Sequence, residues 1–195
     1  MALKLSVKIG DVTNLSDARY AAGMGVDYIG FNINPDSEHF VTPETYNEIT
    51  NWISGVGIIG EVGNSYPENS DEYVSFLPET HNQELAHRLD SYVLRLNVDV
   101  FSIDEIRAAL DNASGAEFYI LEASAKWLNE HTMEMKALCN SNTIYISSEF
   151  DPDILDTIVN TIKPQGIEIK GSLEDQPGFK DYDGIADVLE WLEID

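Results

Sequence analysis

Short apolar runs and amphipathic stretches alternate along the whole chain, with turn residues between them. Eight runs are nearly continuous in apolar residues, as is typical of strands covered on both faces. They are residues 4–10, 28–33, 57–62, 73–77, 92–98, 118–123, 143–147 and 166–170. Strands that alternate with helical stretches predict βα units around a parallel sheet. Eight such units in 195 residues predict an α/β fold of one domain, residues 1–195, folded as a small (β/α)8 (TIM) barrel.

Several helix starts carry residues that satisfy the free N–H groups of a first turn. Asn14 is a good N-cap, Thr42 precedes Pro43, and Ser102 with Glu105 forms a capping box. We expect helices at 14–25, from 42 onward, 81–89, from 102 onward, 126–138, 151–162 and 183–193.

The connection between the third and fourth predicted strands is unusually short. Residues 63–71 are polar and rich in turn formers, and a parallel crossover usually needs a dozen residues or more. The helix here is therefore predicted to be missing or reduced to one turn. Alternatively, residues 69–77 are themselves a short helix. A missing helix would leave a gap where a second copy or a protein partner could bind.

The composition is strongly acidic, with 35 Asp and Glu against 11 Lys and Arg and a formal net charge of −24. Such a field repels nucleic acid and anionic membranes, so neither is an expected partner. High solubility, adaptation to salt and a basic partner surface are the open explanations. The chain contains no run of about 18 apolar residues, so no membrane span is expected. The single cysteine, Cys139, excludes an internal disulfide, and a cytoplasmic location is expected.

Charged side chains inside predicted barrel strands are the best candidates for chemistry, because barrel active sites lie at the C-terminal strand ends. They are Lys8, Glu61, Arg95, Glu122, Glu168 and Lys170, with Asn32 as a neutral polar neighbour. Two interpretations are open: an ion-pair network that fills the barrel, or a polar pocket that binds a small molecule at its mouth.

Asp11 and Glu122 are the candidate acid–base pair, since each ends a predicted strand. A metal site built from Asp11, Glu61 and Glu122 is conceivable, but no spaced ligand motif supports one, so no metal is predicted. No phosphate-loop, dinucleotide or nucleophile-elbow motif is present, so no cofactor is predicted. His81 and two further histidines fall on predicted helices and are expected at the surface.

The opening segment Val7-Lys8-Ile9-Gly10-Asp11-Val12-Thr13 and later segments resemble the phosphoribosylanthranilate isomerase family. Further like-looking segments are Asn34-Pro35-Asp36-Ser37, Val41-Thr42-Pro43, Gly166-Ile167-Glu168-Ile169 and Pro177-Gly178-Phe179-Lys180-Asp181. The resemblance covers most of the chain and implies a (β/α)8 barrel. It also implies an Amadori rearrangement in tryptophan biosynthesis, in which an acid opens a ribose ring and a base moves a proton from carbon 2.

The resemblance also implies roles for individual positions. The family's catalytic Cys falls on Gly10, its acid on Glu122, and its anthranilate-binding Arg on His39. Its phosphate-binding turns fall on Ser147-Ser148-Glu149 and on Lys170-Gly171-Ser172, and its Gln-Leu-His-Gly segment falls on Ser75-Phe76-Leu77-Pro78. Together with Lys8, Asn32 and Arg95, which the strand pattern indicates, the expected ligand-binding residues are His39, Ser147, Lys170, Gly171 and Ser172.

Three interpretations follow from these exchanges. The chain is an isomerase that uses Asp11 and Glu122, an enzyme acting on a different and less anionic small molecule, or a non-catalytic barrel that binds a ligand or a partner. Loss of a general base alone costs about 10²–10⁴-fold in rate.

Overall fold

Eight parallel strands close into a barrel in this computed structural model, which describes residues 2–171 and 183–194. The strands are Ser6–Gly10 (β1), Tyr28–Asn32 (β2), Gly57–Gly63 (β3), Leu77–Thr80 (β4), Tyr92–Asn97 (β5), Ala116–Glu122 (β6), Ile144–Ser147 (β7) and Gly166–Lys170 (β8). Each strand pairs with the next, and β8 pairs with β1. The predicted (β/α)8 barrel is confirmed.

Helices follow most of the strands around the outside. They are Leu15–Gly23 (α1), Pro43–Thr50 (α2), Gln83–Ala86 (α3), Ile103–Asn112 (α4), Ala125–Glu130 (α5), Thr132–Ser141 (α6), Pro152–Asp156 (α7) and Asp183–Leu192 (α8). The caps at Asn14, Thr42 and Ser102 form as predicted. Within the described residues, no helix has the length and apolar character needed to cross a membrane.

Some predicted helices differ in extent from the observed ones. The stretch 126–138 is divided into α5 and α6 at His131, and the predicted helix 81–89 is the single turn α3. The predicted helix 151–162 is continuous, because α7 leads into a π-helical turn at Thr157–Ile162. The sequence match at Pro177–Asp181 lies outside the described residues.

The lower part of the barrel interior is apolar. Tyr28, Phe118 and Tyr145 pack against one another, with ring centroids 4.5 Å apart for Phe118 and Tyr145. The rings of Tyr28 and Tyr145 occupy the space that side chains at Gly57 and Gly166 would need. This aromatic layer closes the bottom of the barrel and supports the charged residues above it.

The crossover between β3 and β4 corrects one strand assignment. The predicted strand at 73–77 is wrong, because β4 begins at Leu77 and the preceding residues are irregular. The helix is reduced to one 3₁₀ turn at Ser70–Glu72, which confirms the predicted shortening. The alternative of a helix over 69–77 is therefore also wrong. Ser75-Phe76-Leu77-Pro78 consequently precedes the end of β4 instead of following it.

Aromatic side chains cover the barrel where a full helix would otherwise lie. Phe76 packs directly on Gly60 of β3, where an added Cβ would come within 2.4 Å of the ring. Tyr73 is buried and packs edge-on against Tyr46 of α2 at 5.2 Å. Trp52 remains 69% exposed nearby. A second copy or a protein partner at this position stays a prediction.

Candidate functional site at the barrel mouth

Lys8 is fully buried on β1 and is surrounded by three carboxylates. Its Nζ lies 2.7 Å from Glu61 Oε1, 2.7 Å from Glu79 Oε2 and 2.5 Å from Glu168 Oε1. The register explains the grouping, because Lys8 pairs with Glu168 across β1 and β8, while Glu61 pairs with Glu79 across β3 and β4. An ion-pair network therefore fills the upper barrel.

Arg95 of β5 connects this network to the rim of the barrel. Its guanidinium donates to Glu79 Oε1 at 2.7 Å, to Glu168 Oε1 at 2.5 Å and to Glu122 Oε2 at 3.2 Å. Lys170 reaches the same Glu122 oxygen at 3.3 Å. A continuous chain of opposite charges thus runs from the barrel interior to the solvent.

The charges of the network balance when one carboxyl group keeps its proton. Burial raises the pKa of Glu61 to about 8, with Lys8 opposing and Glu79 adding to the rise. Burial also acts on Glu168, but Arg95 and Lys8 hold its pKa below the usual range. The same carboxylates outweigh the burial of Lys8 and raise its pKa. At neutral pH two cations therefore face two carboxylates, because Glu61 is mostly neutral.

Two glycines make room for this network. A Cβ at Gly10 would lie 2.9 Å from both Glu61 Oε1 and Glu168 Oε1 and 3.3 Å from Lys8 Nζ. A Cβ at Gly30 would lie 2.2 Å from Glu61 Oε1. Since real Cβ atoms do not approach oxygen so closely, a side chain at Gly10 requires the network to move.

Above the network, one opening of about 360 Å³ lies at the ends of β1 to β4. Asp11, Asn32 and His81 are among its lining residues. Asp11 has a left-handed backbone with φ of 53°, its N–H donates to Glu61 Oε2 at 3.3 Å, and its Oδ1 accepts from Asn32 at 3.3 Å. The opening therefore offers polar groups held in place by the strands below.

A second opening of about 620 Å³ lies at the ends of β5 to β8, and we call it the β5–β8 cavity. Glu122, Ser147, Ser148 and Glu149 are among its lining residues. Lys170 lines both openings, and its contact with Glu122 stands between them. Both volumes are in the range of small-molecule sites.

The predicted acid–base pair is not gathered in one cavity. Asp11 lines the opening at β1 to β4, whereas Glu122 lines the β5–β8 cavity. β1 and β6 are not neighbours in the barrel. Catalysis by this pair therefore remains a prediction.

The expected ligand-binding residues occupy different levels of the barrel. Asn32, Arg95, Ser147 and Lys170 line the openings, whereas Lys8 is sealed in the network beneath them. His39 lines neither of the two openings, and its Nδ1 is buried without a hydrogen-bond partner among the described residues. Gly171 donates its N–H to the Gly10 carbonyl at 2.8 Å. Ser172 lies outside the described residues.

Two residues at the site were missed by the sequence interpretation. Glu79 belongs to the buried network, and His81 lines the mouth instead of a helix surface. Both follow from the displaced fourth strand. Pro78 lies inside β4. Proline is unusual in a central strand, so the sequence provides no clear indication that the strand includes this position.

The cluster of carboxyl groups best suited to holding a metal ion already surrounds the ammonium group of Lys8. Among the described residues, Glu61, Glu79 and Glu168 bring carboxylate oxygens within 4.8 Å of one another. The Lys8 ammonium lies in contact with all three. A metal ion at this position would have to displace Lys8. The conceivable set of Asp11, Glu61 and Glu122 is not brought together.

Comparison with known proteins gives full-length relatives. The chain is 26% identical over 208 residues to N-(5'-phosphoribosyl)anthranilate isomerase of Microcystis aeruginosa, covering 97% of this chain and 98% of that protein. It is 22% identical to the protein of the same name from Aquifex aeolicus, covering 95% and 97%. No protein-family model matches the chain.

Solved structures agree on the fold. The phosphoribosyl anthranilate isomerase of Thermococcus kodakaraensis superposes with a TM-score of 0.75 at 17% identity, over 96% of this chain and 98% of that one.

The fold and the two openings define the class of protein as a (β/α)8 barrel with a polar mouth of ligand size. Within that class, the chain is similar over nearly its whole length to curated N-(5'-phosphoribosyl)anthranilate isomerases, at 22% and 26% identity.

Proposed function

We propose that this chain is a phosphoribosylanthranilate isomerase-like barrel that binds a small-molecule ligand at its mouth but does not carry out the family rearrangement. Gly10 carries this proposal. It stands where the family resemblance implies the catalytic thiol, and the space around it is occupied by Glu61, Glu168 and Lys8. Without a base at this point, the proton on carbon 2 of the substrate has no acceptor there.

The position that corresponds to the family's acid also supports the proposal. Arg95 and Lys170 both contact Glu122 Oε2, so the contacts of Glu122 are those of an acceptor. A general acid must instead donate a proton to the ring oxygen that leaves. Binding without turnover and turnover of a different small molecule are both consistent with this site.

One observation favours a second candidate function, an isomerase with Asp11 as the base and Glu122 as the acid. Asp11 follows Gly10 directly, lines the mouth, and is oriented by Asn32. A carboxylate there could accept the proton from carbon 2, and Glu122 could protonate the ring oxygen. The two groups line neighbouring openings, and Lys170 lines both of these openings.

Genetic rescue tests the choice between these functions. The chain is expressed in a tryptophan-requiring bacterium that lacks the isomerase, with the Microcystis aeruginosa relative as the positive control. We expect no growth without tryptophan, although immunoblotting shows that the protein accumulates. Growth that is lost in both Asp11→Asn and Glu122→Gln would establish the second function instead.

A further inference from the structure

We propose that the β5–β8 cavity binds a small hydroxylated amine rather than a phosphate ester. The inference rests on the proposed ligand-binding function and adds the chemical class of the ligand. It follows from three properties of the cavity: hydroxyl groups without partners, an excess of carboxylates, and an apolar wall.

The hydroxyl groups lie at the end of β7. Ser147 is 3% exposed and lines the cavity, and the structure gives its hydroxyl no hydrogen-bond partner among the described residues. The Oγ of Ser148 is also buried and has no partner there. Buried polar groups are nearly always satisfied, so the unpaired Ser148 Oγ beside a cavity that Ser147 also lines indicates a ligand that supplies the missing hydrogen bond. Hydroxyl groups of a ligand can do so as donors and acceptors.

The charges of the lining favour a cation. Asp99, Glu122 and Glu149 face a single cationic residue, Lys170, in the described lining. Both oxygens of Asp99 accept hydrogen bonds from Ser124, and the contacts of Glu122 with cations use only Oε2.

Glu149 is exposed and forms no ion pair within the described part of the chain, so its carboxylate can receive an ammonium group. A phosphate placed here would meet like charge, in a protein whose net charge is already −24.

The rest of the lining suits a carbon skeleton. Phe150, Ile169 and Val188 contribute apolar surface, and the volume of about 620 Å³ is typical of a small-molecule site. A ligand with an ammonium group, several hydroxyls and one apolar face matches all three parts of the wall. An amino sugar has this combination.

The test is an NMR titration of the ¹⁵N-labelled full-length chain with glucosamine, glucose and inorganic phosphate. Glucosamine should shift the amide signals of Ser147, Ser148 and Glu149 saturably. Glucose, which lacks the ammonium group, should bind at least about fivefold more weakly. Phosphate should leave these signals unchanged. Added salt should weaken glucosamine binding, because a partly exposed ion pair is screened.

Two Glu-to-Gln variants, one inside the cavity and one outside it, test the role of the Glu149 carboxylate. Glu149→Gln keeps the shape of the cavity and should weaken glucosamine binding about three- to fivefold. Glu48→Gln, an exposed carboxylate on α2 away from the cavity, should leave it unchanged.

Saturable shifts with phosphate, equal binding of glucose and glucosamine, or no shift with any probe would each overturn the proposal. Genetic rescue reports isomerisation and the titration reports the ligand class, so the two proposals can fail separately.

Discussion

Gly10 matters because the atoms around it are charged. A residue without a side chain lets Glu61, Glu168 and Lys8 approach one another directly above the end of β1. The carboxyl groups around the Lys8 ammonium, of which Glu61 is mostly protonated, stabilise it only while they are all present, since an uncompensated buried charge is costly. A side chain at this position therefore requires the Glu61 and Glu168 carboxyl groups to shift.

Replacing Gly10 by Cys should lower the free energy of unfolding by about 1–3 kcal/mol, because the new Cβ overlaps the oxygens of Glu61 and Glu168. The variant should not gain isomerase activity. Urea denaturation and the rescue assay measure these two outcomes. Gly23→Cys is the matched control, since nothing lies within 4 Å of a Cβ there, and it should change the stability little. A Gly10→Cys protein that is as stable as the wild type would show that the network does not restrict this position.

Sequence patterns identified most of the charged residues at this scale, but not their arrangement. Lys8, Glu61, Arg95 and Glu168 interrupt apolar strands, so their importance is visible in the sequence alone. The sequence does not predict Glu79, because its pattern indicates a fourth strand at 73–77 whereas β4 begins at Leu77. That Lys8 contacts three carboxylates depends on strand register, which is a property of pairing between distant segments.

The crossover between β3 and β4 shows how a barrel segment can be held without a full helix. Asn47 of α2 donates to the Glu72 carbonyl at 2.8 Å and accepts from the Val74 N–H at 3.0 Å. These two bonds fix the irregular chain beside the helix. Phe76 and Tyr73 then pack on the barrel and on Tyr46.

Asn47→Ala should therefore destabilise the protein by about 1 kcal/mol, since it removes two partly exposed hydrogen bonds. Hydrogen exchange should be faster at Val74 than in the wild type, while the strands keep their protection. Glu48→Ala, the neighbouring exposed position on α2, is the control and should leave exchange at Val74 unchanged. Equal exchange in the Asn47→Ala and Glu48→Ala proteins would exclude the proposed role of Asn47.

Local signals predicted the elements that depend on local chemistry. The caps of α1, α2 and α4 are confirmed because each needs only a few neighbouring residues. The position of β4 depends instead on aromatic packing between α2, the crossover and β3, and on a proline inside the strand. No short window of sequence contains that information.

At the scale of the whole molecule, the acidity lies mainly outside the barrel interior. The chain carries a net charge of −24, yet its buried network approaches neutrality when Glu61 is protonated. The two openings and their division by Lys170 and Glu122 result from side chains of non-adjacent strands. The sequence predicted a polar mouth, but it could not predict that Asp11 and Glu122 would line separate openings.

The stability should depend on pH through the network. Folding raises the pKa of Glu61 from 4.5 to about 8, so the stabilisation from its proton is complete below pH 4.5 and is lost as the pH rises toward about 8. Glu168 acts in the opposite sense, because its lowered pKa makes its contribution disappear as the pH falls below 4.5. The free energy of unfolding should therefore fall between about pH 5 and about pH 8.

Urea denaturation across this range, on the wild type and on Glu61→Gln, measures the effect. The neutral amide cannot ionise, so the fall in stability should be smaller in the variant. General repulsion among the surface carboxylates is the same in both proteins and cancels in the comparison. Identical pH slopes would contradict the assignment of a raised pKa to Glu61.

The most direct test of the account is an assay of the purified protein with phosphoribosylanthranilate. Consumption of the substrate is followed against a buffer blank and against the Aquifex aeolicus relative. We predict a rate equal to the blank, unchanged in Asp11→Asn, because no base lies at Gly10. Turnover well above the blank that Asp11→Asn abolishes would contradict the account.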